Sequence, residues 1–220
     1  MKLKFLGHSC FLITINGVKI LTDPFISNNP NISINPLEIK PDVILVTHDH
    51  KDHLGDTIDI AKSCGASVIT IFDLAEFLSK YAVCVLGGNI GGTIIYKDIS
   101  FTFVKADHSS NKGVAIGFVI TFGDESIYFA GDTGVFYDMK IIKDLYSPKI
   151  SILPIDGYYN MGPREAAYAC TLLESDFVIP MHFGTFPLLN KTPEMFKKEL
   201  ISKNIKTKMI LFDILEEKEI

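Results

Sequence analysis

The stretch THDHKDHLGD, residues 47–56, brings together side chains that bind metal ions and transfer protons. It contains His48, His50 and His53, which are half of the six histidines in the chain, together with Asp52. Residues two positions apart in an extended segment point to one side, whereas the adjacent pair Asp52 and His53 diverges as the chain turns into a helix. The turn therefore offers ligands for two neighbouring metal ions, more than a single tetrahedral site needs.

A polar surface turn, or a helix cap with incidental histidines, is the alternative interpretation of this stretch. This interpretation would be enough to explain a single histidine. It is disfavoured here because the spacing H-x-H-x-D-H follows the apolar run VILV, which has the pattern of a buried strand. Open sheets tend to build their sites at the carboxyl ends of strands.

Three further residues of ligand type stand at the ends of predicted strands. His108 follows SFTFVKAD, Asp132 follows IYFAG, and His182 follows FVIPM, each before a flexible turn. Taken singly, each histidine suits an ordinary strand end as well as a metal site. Together with a four-ligand turn, and in the same position relative to their strands, they are expected to complete it.

The elements that must position these residues form two sheet-forming halves. Short β-branched runs separated by Asn16-Gly17 predict strands and a hairpin. After the histidine turn, the pattern predicts a helix, a strand and a second helix. Strands return over residues 92–130, and helices alternate with strands after that. The glycine-rich LGGNIGG is predicted to be a turn, since no helix and no Gly-Lys-Ser/Thr follow it. This order favours two sheets with helices outside, although an ordinary α+β domain has the same pattern.

Composition narrows the class of protein. The chain has 220 residues and is predicted to form one domain over 1–220. Its net charge of −5, without a basic block, disfavours nucleic acid and anionic membranes as partners. Four scattered cysteines, no apolar run that spans a bilayer and no signal peptide predict reduced thiols and a cytoplasmic location. A homo-oligomer is compatible with the sequence.

The ordered motifs THDHKDH, ADHSS, GDTG and PMHFG are similar to those of the metallo-β-lactamase-fold hydrolases. The whole chain resembles their small single-domain branch, which includes the ascorbate-6-phosphate lactonase-like proteins. This resemblance implies an α+β fold class, namely a four-layer αββα sandwich of two mixed sheets packed face to face with helices outside. It also implies two divalent ions, the first bound by His48, His50 and His108, the second by Asp52, His53 and His182, and both by Asp132.

The chemistry implied by this resemblance is metal-dependent hydrolysis by a metal-bridging hydroxide. The substrate would be a small metabolite, with an anionic one favoured, and the bond a lactone, ester, amide or phosphoester. Zinc is favoured as the metal, and manganese, iron, cobalt and nickel suit the same ligands. Asp52 could also accept or relay a proton.

Weaker candidates lie outside these motifs. His8, in GHSC, suits a hydrogen-bonded strand end, but the Gly-His pair of the resembling hydrolases reaches the pocket, which gives His8 a substrate or proton-transfer role. Asp23 is predicted to accept a hydrogen bond from a ligating imidazole. Tyr158 and Tyr159 are candidates for a pocket wall, and their contact with substrate is open.

Other functions are alternatives to a hydrolase. A non-catalytic metal-dependent binding or regulatory protein would keep the same ligands. A nuclease is disfavoured by the charge and by the lack of an inserted RNA-binding domain. The di-iron reductases of the same fold place Glu where this chain has His50. The single DTG tripeptide at 132–134 does not make an aspartic protease, whose dyad needs two carboxylates.

Overall fold

The computed structural model describes residues 1–220, which divide into two compact units. The first unit comprises Met1–Ile94, Ser109–Ala115 and Phe212–Ile220, and the second comprises Ile95–His108 and Ile116–Leu211. The single domain over 1–220 stays a prediction. No helix is both long enough and apolar enough to cross a membrane.

The secondary structure consists of fourteen strands, six α-helices and one 3₁₀-helix at Pro36–Glu38. The strands are β1 (Lys2–Phe5), β2 (Phe11–Ile15), β3 (Val18–Thr22), β4 (Val43–Leu45), β5 (Ser67–Ile71), β6 (Val85–Gly88), β7 (Thr93–Tyr96), β8 (Ile99–Lys105), β9 (Ile116–Phe122), β10 (Glu125–Phe129), β11 (Ile150–Pro154), β12 (Phe177–Met181), β13 (Lys208–Met209) and β14 (Glu217–Glu219). The helices are α1 (Lys51–Leu54), α2 (Thr57–Cys64), α3 (Phe72–Ser79), α4 (Met139–Tyr146), α5 (Pro163–Leu173) and α6 (Pro193–Ser202).

The first sheet has the strand order β14-β1-β2-β3-β4-β5-β6. Strands β1 to β3 are antiparallel neighbours, and β3 to β6 pair in parallel. The β2–β3 turn is the predicted Asn-Gly hairpin, with both Asn16 and Gly17 at positive φ, as a type I′ turn requires. Strand β4 is buried along its whole length, which is typical of a central parallel strand, so the histidine turn follows a rigid element.

The second sheet has the order β13-β12-β11-β10-β9-β8-β7. Strand β9 is antiparallel to both β8 and β10, and β10 to β13 pair in parallel. Strands β8, β10, β11 and β12 therefore all end at one edge of this sheet. Buried aromatic rings stabilise its core, such as Phe103 and Phe118 with centroids 5.3 Å apart.

Two strands differ from the sequence prediction. The glycine-rich segment predicted to be a turn begins as strand β6, which packs against α3. A Cβ at Gly87 would lie 2.8 Å from the Cβ of Ala75, so this close packing requires glycine. Strand β14 is a charged segment without an apolar pattern, and it pairs with β1 at the edge of the first sheet.

Candidate metal centre

The first cluster of site residues lies where β4 ends and α1 begins. His50 precedes α1 with extended backbone (φ −63°, ψ 148°), and His53 lies within this short helix. His48 Nε2 is 2.9 Å from His50 Nδ1, and the His48 and His53 ring centroids are 4.2 Å apart. The change from extended to helical backbone thus brings three imidazoles close together. The division of these ligands between two metal ions stays a prediction.

Asp23 fixes the orientation of this turn from the end of the neighbouring strand β3. Its buried carboxylate accepts hydrogen bonds from Thr47 N and Thr47 Oγ1, each at 2.8 Å. It also accepts a hydrogen bond from His53 Nδ1 at 2.8 Å, which leaves Nε2 as the nitrogen with a lone pair. The hydrogen bond that Asp23 is predicted to accept from an imidazole is therefore present.

His8 joins the first cluster from the turn between β1 and β2. Its Nε2 is 3.1 Å from Asp52 Oδ2, and the ligand atoms of His8, Asp52 and His53 all lie within 4.8 Å of one another. The His8 side chain has no exposed surface, whereas that of Asp52 is 30% exposed. His8 and Asp23 both adopt left-handed backbone, with φ of 58° and 33°.

The nearby Cys10 has no features of a reactive thiol. It is fully buried, and this burial, followed by the charges of Asp23 and Asp56, raises the pKa of the thiol well above its ordinary value. All four cysteines are free, which agrees with the prediction of unpaired thiols. Cys10 therefore packs as a small buried side chain.

The second cluster lies at the shared edge of the second sheet. His108 follows β8, Asp132 follows β10 and His182 follows β12, so three strand ends converge there. Asp132 Oδ2 is 3.5 Å from His108 Nε2 and 3.2 Å from His182 Nε2. His182 adopts left-handed backbone, with a φ of 58°.

Asp156 is a site residue that the sequence reasoning missed. It is buried after β11, and its Oδ2 lies 3.1 Å from His182 Nδ1. Burial raises the pKa of Asp156, but the hydrogen bond and charge of His182, with the N–H groups of Tyr158 and Tyr159, lower that pKa below its ordinary value overall. The signal was a carboxylate two residues after the buried strand ISILP, much as Asp132 comes shortly after the strand that contains IYF.

The donors in both clusters fit divalent transition-metal ions. Each unit contains a histidine whose Nδ1 contacts a buried carboxylate, Asp23 for His53 and Asp156 for His182. A carboxylate on one ring nitrogen fixes the tautomer and makes the other nitrogen a stronger ligand, which is a frequent arrangement around metal-binding histidines. Imidazole and carboxylate donors together suit zinc, manganese, iron, cobalt and nickel.

Comparison with known proteins shows the family. A model described as "Beta-lactamase superfamily domain" matches residues 2–182. A UPF0173 metal-dependent hydrolase of Methanopyrus kandleri is 41% identical over 223 residues, 97% of each chain. Another from Archaeoglobus fulgidus is 41% identical over 96% of this chain and 95% of its own length. The chain belongs to the UPF0173 metal-dependent hydrolases. The predicted family, hydrolase class and metal dependence are confirmed, and the finer likeness to ascorbate-6-phosphate lactonase-like proteins stays a prediction.

Solved structures show the fold of this hydrolase. Igni18, a metallo hydrolase from Ignicoccus hospitalis, superposes with a TM-score of 0.93 at 35% identity, over 100% of this chain and 98% of its own. The metallo-β-lactamase fold protein YhfI of Bacillus subtilis has a TM-score of 0.77 at 15% identity over 99% and 98% of the two chains, which is a likeness of fold alone. The predicted fold class, α+β of the metallo-β-lactamase fold, is confirmed.

The predicted site residues of the hydrolase group by unit. The first unit brings together His8, His48, His50, Asp52 and His53. The second brings together His108, Asp132 and His182. Tyr158 and Tyr159 lie on an exposed loop that contacts Asp156, and their predicted contact with substrate stays a prediction.

Proposed function

We propose that this hydrolase binds two divalent metal ions per chain and cleaves a small metabolite by hydrolysis. The proposed ligands are His48, His50 and His108 for one ion, Asp52, His53 and His182 for the other, and Asp132 for both. The observation that carries the proposal is the matched pair of carboxylate-bound imidazoles, Asp23 with His53 and Asp156 with His182. Such pairs are expected beside metal ligands and have little purpose on an ordinary surface turn. Zinc is the favoured metal.

The bound ions would supply a hydroxide near neutral pH and polarise the oxygen of the bond that is cleaved. The side chains of the chain orient these groups and move the proton. Asp52 is partly exposed and reaches solvent, whereas His8 lies behind it without exposed surface. A proton accepted by Asp52 Oδ2 can therefore pass to His8 Nε2 at 3.1 Å and return to the leaving group. His8 is accordingly proposed to transfer protons through Asp52 and not to contact substrate.

The substrate is proposed to be a small molecule with a lactone, ester, amide or phosphoester bond, and an anionic metabolite is favoured. The net charge of −5 supports neither nucleic acid nor an anionic membrane as a partner. A cytoplasmic location and a single domain remain part of the proposal. The second candidate, a metal-dependent binding protein, would keep the same ligands without turnover.

The experiment measures metal content and hydrolysis in parallel. We expect about two ions per chain by elemental analysis, and turnover of at least one compound in a panel of lactones, esters, amides and phosphoesters. His50→Ala and Asp132→Ala are expected to abolish turnover and to reduce the bound metal. Asp59→Ala, on the exposed face of α2, is the matched control and should behave as the wild type. Full metal loading without turnover on the whole panel would instead establish the binding protein.

A further inference from the structure

Asp156 contacts two parts of the second unit that differ in kind, a proposed metal ligand and an exposed loop. Its Oδ2 lies 3.1 Å from His182 Nδ1. Its Oδ1 accepts hydrogen bonds from Tyr158 N and Tyr159 N, each at 2.8 Å. One buried carboxylate therefore shares its two oxygens between the imidazole and the loop.

The loop folds around this carboxylate. Asn160 N donates to Oδ1 at 3.3 Å, so three consecutive N–H groups converge on one oxygen, and Asn160 Nδ2 donates to Oδ2 at 2.9 Å. Gly157 N donates to Met161 O at 3.3 Å and closes the loop on itself. Met161 N donates to the carbonyl of Thr133, the residue after Asp132. Both oxygens of Asp156 are thus used, and four hydrogen bonds connect the loop to this side chain.

The loop displays an aromatic pair on its outer side. Tyr158 and Tyr159 are 62% and 56% exposed, and their rings meet edge to face with centroids 4.8 Å apart. Exposed aromatic side chains on a fixed loop form a surface that is ordered before anything binds, which reduces the entropy lost on contact. This surface is connected to His182 through the single side chain of Asp156.

We propose that Asp156 is a positioning residue that orders the His182 imidazole and the Tyr158–Tyr159 loop together. Its Oδ2 fixes His182 Nδ1 as a donor, so that Nε2 is left as the ligand nitrogen. Its Oδ1 sets the loop at a defined distance from that imidazole. The inference rests on the proposed metal-binding role of His182, and it adds that the shape of the exposed loop and the affinity of this ligand depend on the same carboxylate.

Asp156→Asn separates the two roles. Three loop N–H groups require an acceptor, so the amide oxygen is expected to take the Oδ1 position and the amide NH₂ the Oδ2 position. The NH₂ group then donates to His182 Nδ1, and the hydrogen moves to Nε2, which can no longer bind a metal. Asn160 Nδ2 donates to Oδ2 in the wild type, so the Asn160 amide would rotate and its Oδ1 would accept from the new NH₂ group. The loop should then keep its conformation while the ligand is lost. Asp156→Ala removes both contacts, and Asn160→Ala removes only the side-chain donor and leaves His182 in place.

The test titrates each purified full-length variant with Co²⁺ alone and follows the visible absorption of the bound ion. Hydrogen exchange of the amides of residues 158–160 reports on the loop. We expect Asp156→Asn to bind one of its two ions about 10- to 100-fold more weakly while these amides stay protected. Asn160→Ala should bind both ions within a few-fold of the wild type. Asp156→Ala should lose both the affinity and the protection.

Either of two results would overturn the inference. One is wild-type Co²⁺ affinity in Asp156→Asn, and the other is an equal loss of affinity in Asn160→Ala. Asp156→Asn keeps the volume and the loop acceptor, so the test stands even where Asp156→Ala does not fold. The readout uses metal and no substrate. A wild-type protein that binds Co²⁺ but hydrolyses nothing would therefore defeat the proposed function and leave this inference intact.

Discussion

The two clusters of candidate ligands are built in opposite ways. In the first unit, His48, His50, Asp52 and His53 come from one turn, and their geometry follows from a change of backbone between β4 and α1. In the second unit, His108, Asp132 and His182 come from the ends of three strands and meet only because those strands end at the same edge. A local cluster depends on a few backbone angles, whereas a dispersed cluster depends on the register of a whole sheet.

Both clusters nevertheless contain a close contact between a buried carboxylate and an imidazole Nδ1. Asp23 approaches His53 from the end of β3, and Asp156 approaches His182 from the end of β11. Each carboxylate also accepts backbone N–H groups, from Thr47 in the first case and from the tyrosine loop in the second. The contact therefore orients a ligand and orders the adjoining turn at the same time, whichever way the cluster is built.

Removal of the metal should have the largest effect and should affect both clusters. Treatment with a strong chelator is expected to abolish hydrolysis. It should also lower the free energy of unfolding by about 2.7 kcal/mol for each ion whose free concentration before treatment was 100 times its Kd. For a chain of this length the melting temperature should fall by ~2–4 °C per kcal/mol, as measured by calorimetry.

The control for this prediction is restoration by Zn²⁺, which should recover both activity and melting temperature. A chelated protein that melts like the untreated one would show that neither cluster depends on an ion for its stability.

Asp52→Asn should have the next largest effect, because the proton transfer proposed for Asp52 is a role that the second cluster lacks. The amide cannot accept the proton that is proposed to pass to His8, so kcat is expected to fall by ~10²–10⁴-fold. Steady-state kinetics measures this loss, with Asp59→Asn as the surface control. Undiminished kcat in Asp52→Asn would remove the proton-transfer role and make the two clusters equivalent.

Asp23→Asn sharpens the comparison by repeating the carboxylate test in the first unit. The amide would reverse the hydrogen bond to His53 Nδ1, and Co²⁺ binding is expected to weaken by ~10- to 100-fold. Asp42→Asn is the matched control, since Asp42 accepts the Lys19 N–H in the same sheet. Equal Co²⁺ affinity in the two variants would mean that the local turn holds His53 without help from Asp23.

Asp49→Ala should have the smallest effect. Asp49 stands between two proposed ligands, and its Oδ1 accepts hydrogen bonds from Asn111 N at 2.8 Å and Ser110 Oγ at 3.1 Å. Loss of these contacts is expected to lower the free energy of unfolding by about 1 kcal/mol and to increase proteolysis at residues 109–115. Denaturant unfolding measures the first change.

Asp49→Asn keeps an acceptor oxygen and should restore the wild-type values. If both variants matched the wild type, the segment after His108 would be ordered by contacts other than those of Asp49.

The same contrast explains which parts of the site could be predicted from the sequence. The histidine turn could be predicted because its ligands are close together in the sequence and β4 is a clear apolar run. His108, Asp132 and His182 have no local pattern of their own, and only their common place after strands, with the family resemblance, identified them. Asp156 was missed because Asp-Gly after a strand has the pattern of an ordinary turn.

The strands were predicted well where side chains alternate or are uniformly apolar, and less well elsewhere. Strand β6 was missed because Gly87 replaces the side chain that would have marked it, for reasons of packing against Ala75. The charged strand β14 exists only because β1 offers a free edge, and such pairing between the two ends of a chain leaves no local signal.

Three residues of the site, His8, Asp23 and His182, have left-handed backbone although none is glycine. Such conformations cost on the order of 1–3 kcal/mol each, and the surrounding packing must offset that cost. Glycine at any of these positions would relax the backbone and remove the functional side chain at once. Substitutions that relieve this backbone strain in order to raise heat resistance would therefore lower the activity. Stabilising changes should be sought on surfaces away from both clusters.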